Sequence, residues 1–138
     1  MAEQVNPQEA LIYLMTTMCV ADRGLDQVEL RAIRFQIEQL PIFAGYNVDD
    51  LPRTVNAAAS VLTAGDGIDR ILALVAGSLP LDLYETAYAL AIEIAAADVH
   101  ARQEELHLLE LIRDGLNLSP LAVAAIEHSA RVRYRTLA

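Results

Sequence analysis

Asp22, Asp26, Glu29, Asp98 and Glu105 are the residues of this chain whose type and spacing could do chemistry. They fall in two stretches seventy-six residues apart, Ala21-Asp22-Arg23-Gly24-Leu25-Asp26-Gln27-Val28-Glu29-Leu30 and Ala97-Asp98-Val99-His100-Ala101-Arg102-Gln103-Glu104-Glu105-Leu106. Both copies keep Ala-Asp, six residues, then Glu-Leu, and both follow an apolar run and precede an amphipathic one. If the two copies pack about a pseudo-twofold axis, their carboxylates face one another. Such a cluster stays ionised only with a cation among it, because like charges a few ångströms apart raise each other's pKa. An all-oxygen donor set suits Ca²⁺ or Mg²⁺ and disfavours soft metals. The spacing is not that of an EF-hand, whose loop needs Gly at its sixth position and Glu at its twelfth.

The same residues have a purely structural reading. Asp22 and Asp98 follow apolar helices, at whose C-terminal ends the dipole disfavours negative charge. The unpaired amides of the next helix can offset this. Asp26-Gln27-Val28-Glu29 spells a capping box. In the second copy the cap position holds Arg102, yet Glu105 remains, so capping accounts for Glu29 and not cleanly for Glu105. Arg102 could instead pair with Asp98.

The elements that position these acids are helices. Asn6 and Pro7 open a first helix that runs to about Val20. A second carries Leu30, Ile33, Ile37 and Leu40 on one stripe and stops at Pro41. After a loop from Ile42 to Val48, Asp49 or Asp50 caps a third helix, which Gly65-Asp66-Gly67 breaks. A fourth runs from about Ile68 to Leu79, and Asp82 opens a fifth that continues into Asp98. The sixth, from about Gln103 to Leu116, repeats the second: Leu106, Leu108, Leu109, Leu111 and Leu116 stand where Leu30, Ala32, Ile33, Phe35 and Leu40 stood. Ser119-Pro120 starts a last helix toward Tyr134. No stretch alternates with period two. The expectation is an all-α domain spanning 1–138, of about seven helices, with two pseudo-symmetric helical hairpins (about 10–41 and 86–117).

Composition narrows the function classes. With 10 basic and 19 acidic residues the net charge is −9, which argues against nucleic-acid binding and against anionic membrane surfaces. Every basic residue is Arg; the absence of Lys removes a Walker-type phosphate loop, Schiff-base chemistry and a Lys general base. There is no Gly-x-Ser-x-Gly elbow and no Cys-His dyad at a recognisable spacing, so no enzyme is expected. Lone Cys19 in an apolar run fits a buried thiol in a reducing compartment. The apolar runs are too short or too interrupted (Glu93) to span a bilayer, and Glu3 and Glu9 stand where a signal peptide wants positive charge. A cytoplasmic location without membrane insertion is expected. Hydrophobic residues make up 54%, against roughly 45–50% in average soluble domains, a surplus that a protein partner or a homodimer contact would cover.

An Ala-Asp-(Gly) turn followed by Glu-Leu, twice in an all-helical chain of this length, resembles the TerB family of tellurite-resistance proteins, a domain also found in certain membrane-anchored J-domain cochaperones. The resemblance covers about Pro7 to Arg133. It implies an all-α bundle, a cytoplasmic or membrane-peripheral location, acidic positions that chelate a cation, and stress-response partners that include membrane proteins. Asp22, Gly24, Asp26 and Glu29 match the first motif, and Asp98 and Glu105 the second. Val99, His100 and Arg102 depart from it, Arg102 by bringing positive charge to the cation site.

Three further candidates carry less. His100, Glu104 and His107 fall at helical spacing and could hold Zn²⁺, though a solvated face is the default reading. Asp66-Gly67-Ile68-Asp69 resembles part of a calcium loop but has no following Glu, and reads as a turn with Asp as N-cap. Arg131, Arg133 and Arg135 around Tyr134 form a basic tail that suits a helix C-terminus, with Glu127 and Arg131 an i,i+4 pair. Two functions therefore stand side by side. One is a non-enzymatic module binding Ca²⁺ or Mg²⁺ through its acidic corners in a stress response. The other is an interaction scaffold whose acids only cap helices.

Overall fold

The computed structural model describes residues 5–22, 26–97 and 103–137, with backbone alone at 21, 22, 97 and 103. Among them lie seven α-helices: α1 (Pro7–Asp22), α2 (Gln27–Gln39), α3 (Leu51–Leu62), α4 (Gly67–Ser78), α5 (Tyr84–Ala97), α6 (Gln103–Gly115) and α7 (Pro120–Arg133). No strand occurs among the described residues, so the all-α expectation holds. Short 3₁₀ turns at Pro41–Phe43, Val48–Asp50 and Leu81–Leu83 link the helices.

Several helix starts follow the residues that should cap them. Asp26 accepts from the amide of Glu29 at 2.9 Å, and Ser119 from that of Ala122 at 3.1 Å. Asn6 and Glu9 make a reciprocal box at α1: Asn6 Oδ1 accepts from the Glu9 amide at 2.8 Å, and Glu9 Oε1 from the Asn6 amide at 3.2 Å. Three expected caps are corrected. Asp50 precedes α3 in a helical conformation (φ −82°, ψ −9°), from which its carboxylate makes no cap bond and pairs instead with Arg53 at 3.2 Å. A cap needs extended backbone to turn its side chain onto the helix amides. Asn47 has that backbone and accepts from Asp49, opening a 3₁₀ turn within the expected loop. Asp66 (φ −106°, ψ 24°) likewise makes no cap bond, and Asp82 sits inside the 3₁₀ turn after Pro80, so that α5 begins at Tyr84.

The core is built around α1. All ten residues from Ala10 to Cys19 are buried, including Thr16 and Thr17. Their hydroxyls donate to the carbonyls of Ile12 and Tyr13 at 2.8 Å each, which satisfies them within the helix. A helix apolar on every side belongs in the middle of a fold, and α1 packs against α2, α3, α4, α5 and α6. Its repeat partner α5 packs against α1, α2, α6 and α7. The second helix of each hairpin thus leans on the first helix of the other: α2 on α5, and α6 on α1. No described helix is long and apolar enough to cross a membrane.

Between α3 and α4 the chain turns so closely that a Cβ on Gly67 would lie 2.7 Å from the backbone of Leu62, whereas one on Gly65 would meet nothing within 4 Å. Gly67→Ala should therefore cost about 1–3 kcal/mol by overpacking against backbone. Gly65→Ala should stay within about 0.5 kcal/mol of wild type. Urea denaturation of the pair checks this, and equal stabilities would contradict the close approach. Asp26→Ala, by loss of its cap, should cost about 1 kcal/mol in the same assay.

Candidate functional site

The repeated acids meet different surroundings. Asp26 is exposed at the mouth of α2 and engages the Glu29 amide through one carboxylate oxygen. A carboxylate has a second oxygen, so a cap bond does not exhaust its capacity as a ligand. Glu29, in the first turn of α2, is half-buried, and its Oε2 is shielded from solvent. Glu105, in the first turn of α6, is only 2% exposed, with its Oε2 shielded in the same way. Both glutamates take part in hydrogen-bonding or electrostatic contacts. Glu105 is the only charged side chain that is buried among the described residues. The helix dipole explains part of its tolerance, since the first turn of α6 presents partial positive charge.

The backbone of Asp22 ends α1, but its side chain lies outside the described residues, as do Gly24, Asp98, Val99, His100 and Arg102. The described part of each corner contributes one sheltered glutamate, joined in the first corner by the cap Asp26. No group of three or more His, Cys, Asp and Glu is placed to hold a metal among the described residues. Glu104 is exposed, and His107 is exposed with its Nδ1 4.0 Å from Glu110 Oε2.

A family model matches most of this chain: that of tellurite resistance protein TerB, over residues 8–128. The chain belongs to the TerB family. TerB domains are not a known enzyme family. No curated protein and no solved structure matches the chain.

This TerB chain also holds two polar clusters that its sequence did not announce. Tyr88 on α5 is fully buried and donates its hydroxyl to Glu127 Oε2 on α7 at 2.6 Å; Arg113 on α6 stands 3.7 Å from the same oxygen. Further along, Tyr134 donates to Glu93 Oε2 at 2.7 Å, and Arg133 pairs with the other oxygen of Glu93 while lying over the Tyr134 ring. These contacts revise the reading of the C-terminal arginines. Glu127 reaches across to α5 and α6 in place of the expected i,i+4 pair with Arg131, and Arg133 ties the end of α7 to α5. The partners lie 39 and 41 residues apart, so no local spacing reveals them. The only local hint is Glu93, a charge in the middle of an apolar run.

Burial, and then the Glu127 carboxylate, push the Tyr88 phenol well above its ordinary value near 10. Burial and Glu93 raise Tyr134 as well. A raised folded-state pKa means that the unfolded phenol ionises first. The stability these groups contribute is whole below about pH 10 and falls as pH rises past that value. Denaturation midpoints measured from neutral to alkaline pH should drop beyond pH 10 in wild type and drop less in Tyr88→Phe. An identical alkaline decline in Tyr88→Phe would contradict the assignment.

Proposed function

We propose that this TerB chain is a non-catalytic stress-response module that binds a divalent cation, Ca²⁺ or Mg²⁺, through Asp22, Asp26, Glu29, Asp98 and Glu105. The single observation that carries the reading is the burial of Glu105. A role as a mere helix-start acid is served by an exposed carboxylate, as Asp26 serves α2, whereas Glu105 is held out of solvent in the first turn of α6. The donor set supports the class of ion, since carboxylate oxygens prefer hard cations. The crossed packing of the hairpins supports a shared role for the two corners. A bound cation would supply the positive charge that lets neighbouring carboxylates remain ionised. The family description connects such chains to tellurite resistance, and we place this one in a cytoplasmic stress response acting with a protein partner, including membrane-associated ones, rather than on a substrate.

Calorimetric titration with CaCl₂, MgCl₂ and ZnCl₂ tests this, with thermal melts alongside. Wild type should show heat and a raised Tm with Ca²⁺ or Mg²⁺ and a weaker response to Zn²⁺. Asp98→Ala and Glu105→Gln should weaken binding by more than the roughly 10–100-fold that a supporting residue costs. No cation-dependent heat or shift in wild type would remove the proposal.

A further inference from the structure

The outer side of α2 borders a cleft of about 380 Å³ that plays no part in the acidic corners. One wall is α2 itself, through Gln27, Leu30, Arg31 and Arg34, spaced i, i+3, i+4 and i+7 and so aligned along one face. The facing wall is the 3₁₀ turn and first turns of α3, with Leu51, Pro52 and Val55 providing apolar surface and Asp49 and Asn56 the rim. Two turns of α2 make the cleft about 10 Å long. Beyond Arg31, on the adjoining face of α2, Val28 and Phe35 are 68% and 59% exposed. An occupant that covers them together with the cleft is larger than a small molecule.

The charges on the rim say what kind. Both cations stand on the α2 wall. Arg34 is partnered by Glu38 on its exposed side at 3.0 Å, and Arg31 has no ion pair among the described residues. The second copy of the repeat sharpens the contrast. His107 and Glu110 occupy the positions equivalent to Arg31 and Arg34, and they face each other. Only the first copy turns two cations outward over an apolar floor, in a chain whose net charge is −9. Asp49 on the opposite rim repels a second carboxylate and so fixes which side of the occupant is acidic.

We infer that the cleft between α2 and α3 docks an amphipathic acidic segment of a partner protein, apolar side chains on Leu30, Leu51 and Val55 and carboxylates on Arg31 and Arg34. Helix-in-groove recognition of this kind reads apolar anchors at i, i+3, i+4 and i+7, and guanidinium forks suit carboxylates. The inference stands apart from the cation site.

The probe is a fluorescein-labelled helical peptide of about twelve residues, with Leu at i, i+3, i+4 and i+7 and Glu elsewhere. Counterparts carry Gln or Lys in place of Glu. Fluorescence anisotropy should show the Glu peptide binding wild type more tightly than the Gln peptide, and the Lys peptide weakest. The double variant Arg31→Glu/Arg34→Glu, at exposed positions, should lose about tenfold in affinity for the Glu peptide and regain it for the Lys peptide. Asn56→Trp, which obstructs the cleft from its exposed rim without touching either arginine, should weaken all binding, with circular dichroism reporting that each variant is folded. Equal affinity for the three peptides, no binding, or binding unaltered in both variants overturns the inference. So does a wild-type dimer in sedimentation that the double arginine variant dissociates, for then a second copy is the occupant.

Discussion

A helix buried on every side can place charge only at its ends. In this chain α1 is such a helix, with ten consecutive buried residues surrounded by α2, α3, α4, α5 and α6. Its polar side chains within that run are threonines that close hydrogen bonds on their own helix. Beyond Glu9 in the first turn of α1, the next acids therefore come where α1 ends and α2 begins, and the repeat places a second set where α5 gives way to α6. The acidic corners follow from the burial of the two central helices. At the helix ends the backbone itself is least satisfied, leaving amides to receive carboxylates on one side and carbonyls to repel them on the other.

Much of this organisation could be read in advance from residues. Prolines 7, 41 and 120, with caps at Asn6, Asp26 and Ser119, mark boundaries that reappear in the structure to within two residues. The apolar run of α1 lacks a polar stripe, which itself signals a central position. What escaped were features decided by local backbone or by distance. Asp50 and Asp66 have the right composition for caps and the wrong φ and ψ. The 3₁₀ turns around Pro41 and Pro80 are too short for any periodicity to register. Of the candidate site, the positions and their pairing were apparent, and so was the inability of capping to explain Glu105. Its burial was not, because burial depends on how α6 leans on α1, a contact between segments some ninety residues apart.

Charge elsewhere is spent locally. Arg34, Arg53, Arg113 and Arg133 each face a carboxylate, and the first two lie on the surface where such pairs add little to stability. The pairs at Glu127 and Glu93 differ because each carboxylate also accepts a tyrosine hydroxyl, one of them from a ring with no exposure. Losing the Glu127 carboxylate would strand the buried Tyr88 phenol, which costs more than the bond itself contributes. These two clusters hold α7 against α5.

That role explains how the duplication has diverged. Tyr88 and Glu93 of α5 stand where α1 has Ile12 and Thr17, both fully buried. The first hairpin is enclosed by α3 and α4, through apolar surface, so α1 needs no polar anchor. In the second, α7 packs chiefly on α5 while α6 also meets α4, and a covering helix that rests on one neighbour gains register from directional bonds that a layer of leucines does not impose. Arg113, which reaches Glu127 from α6, replaces Ile37 of α2, a core residue. The same substitution pattern accounts for the outer face of α2. Among the described residues no polar cluster clamps a covering helix onto it, its arginines face outward, and apolar side chains remain beneath and beside them. The two hairpins thus differ, the second carrying polar contacts to its covering helix and the first an open cleft with two arginines on one wall, while each has a glutamate in the first turn of its second helix.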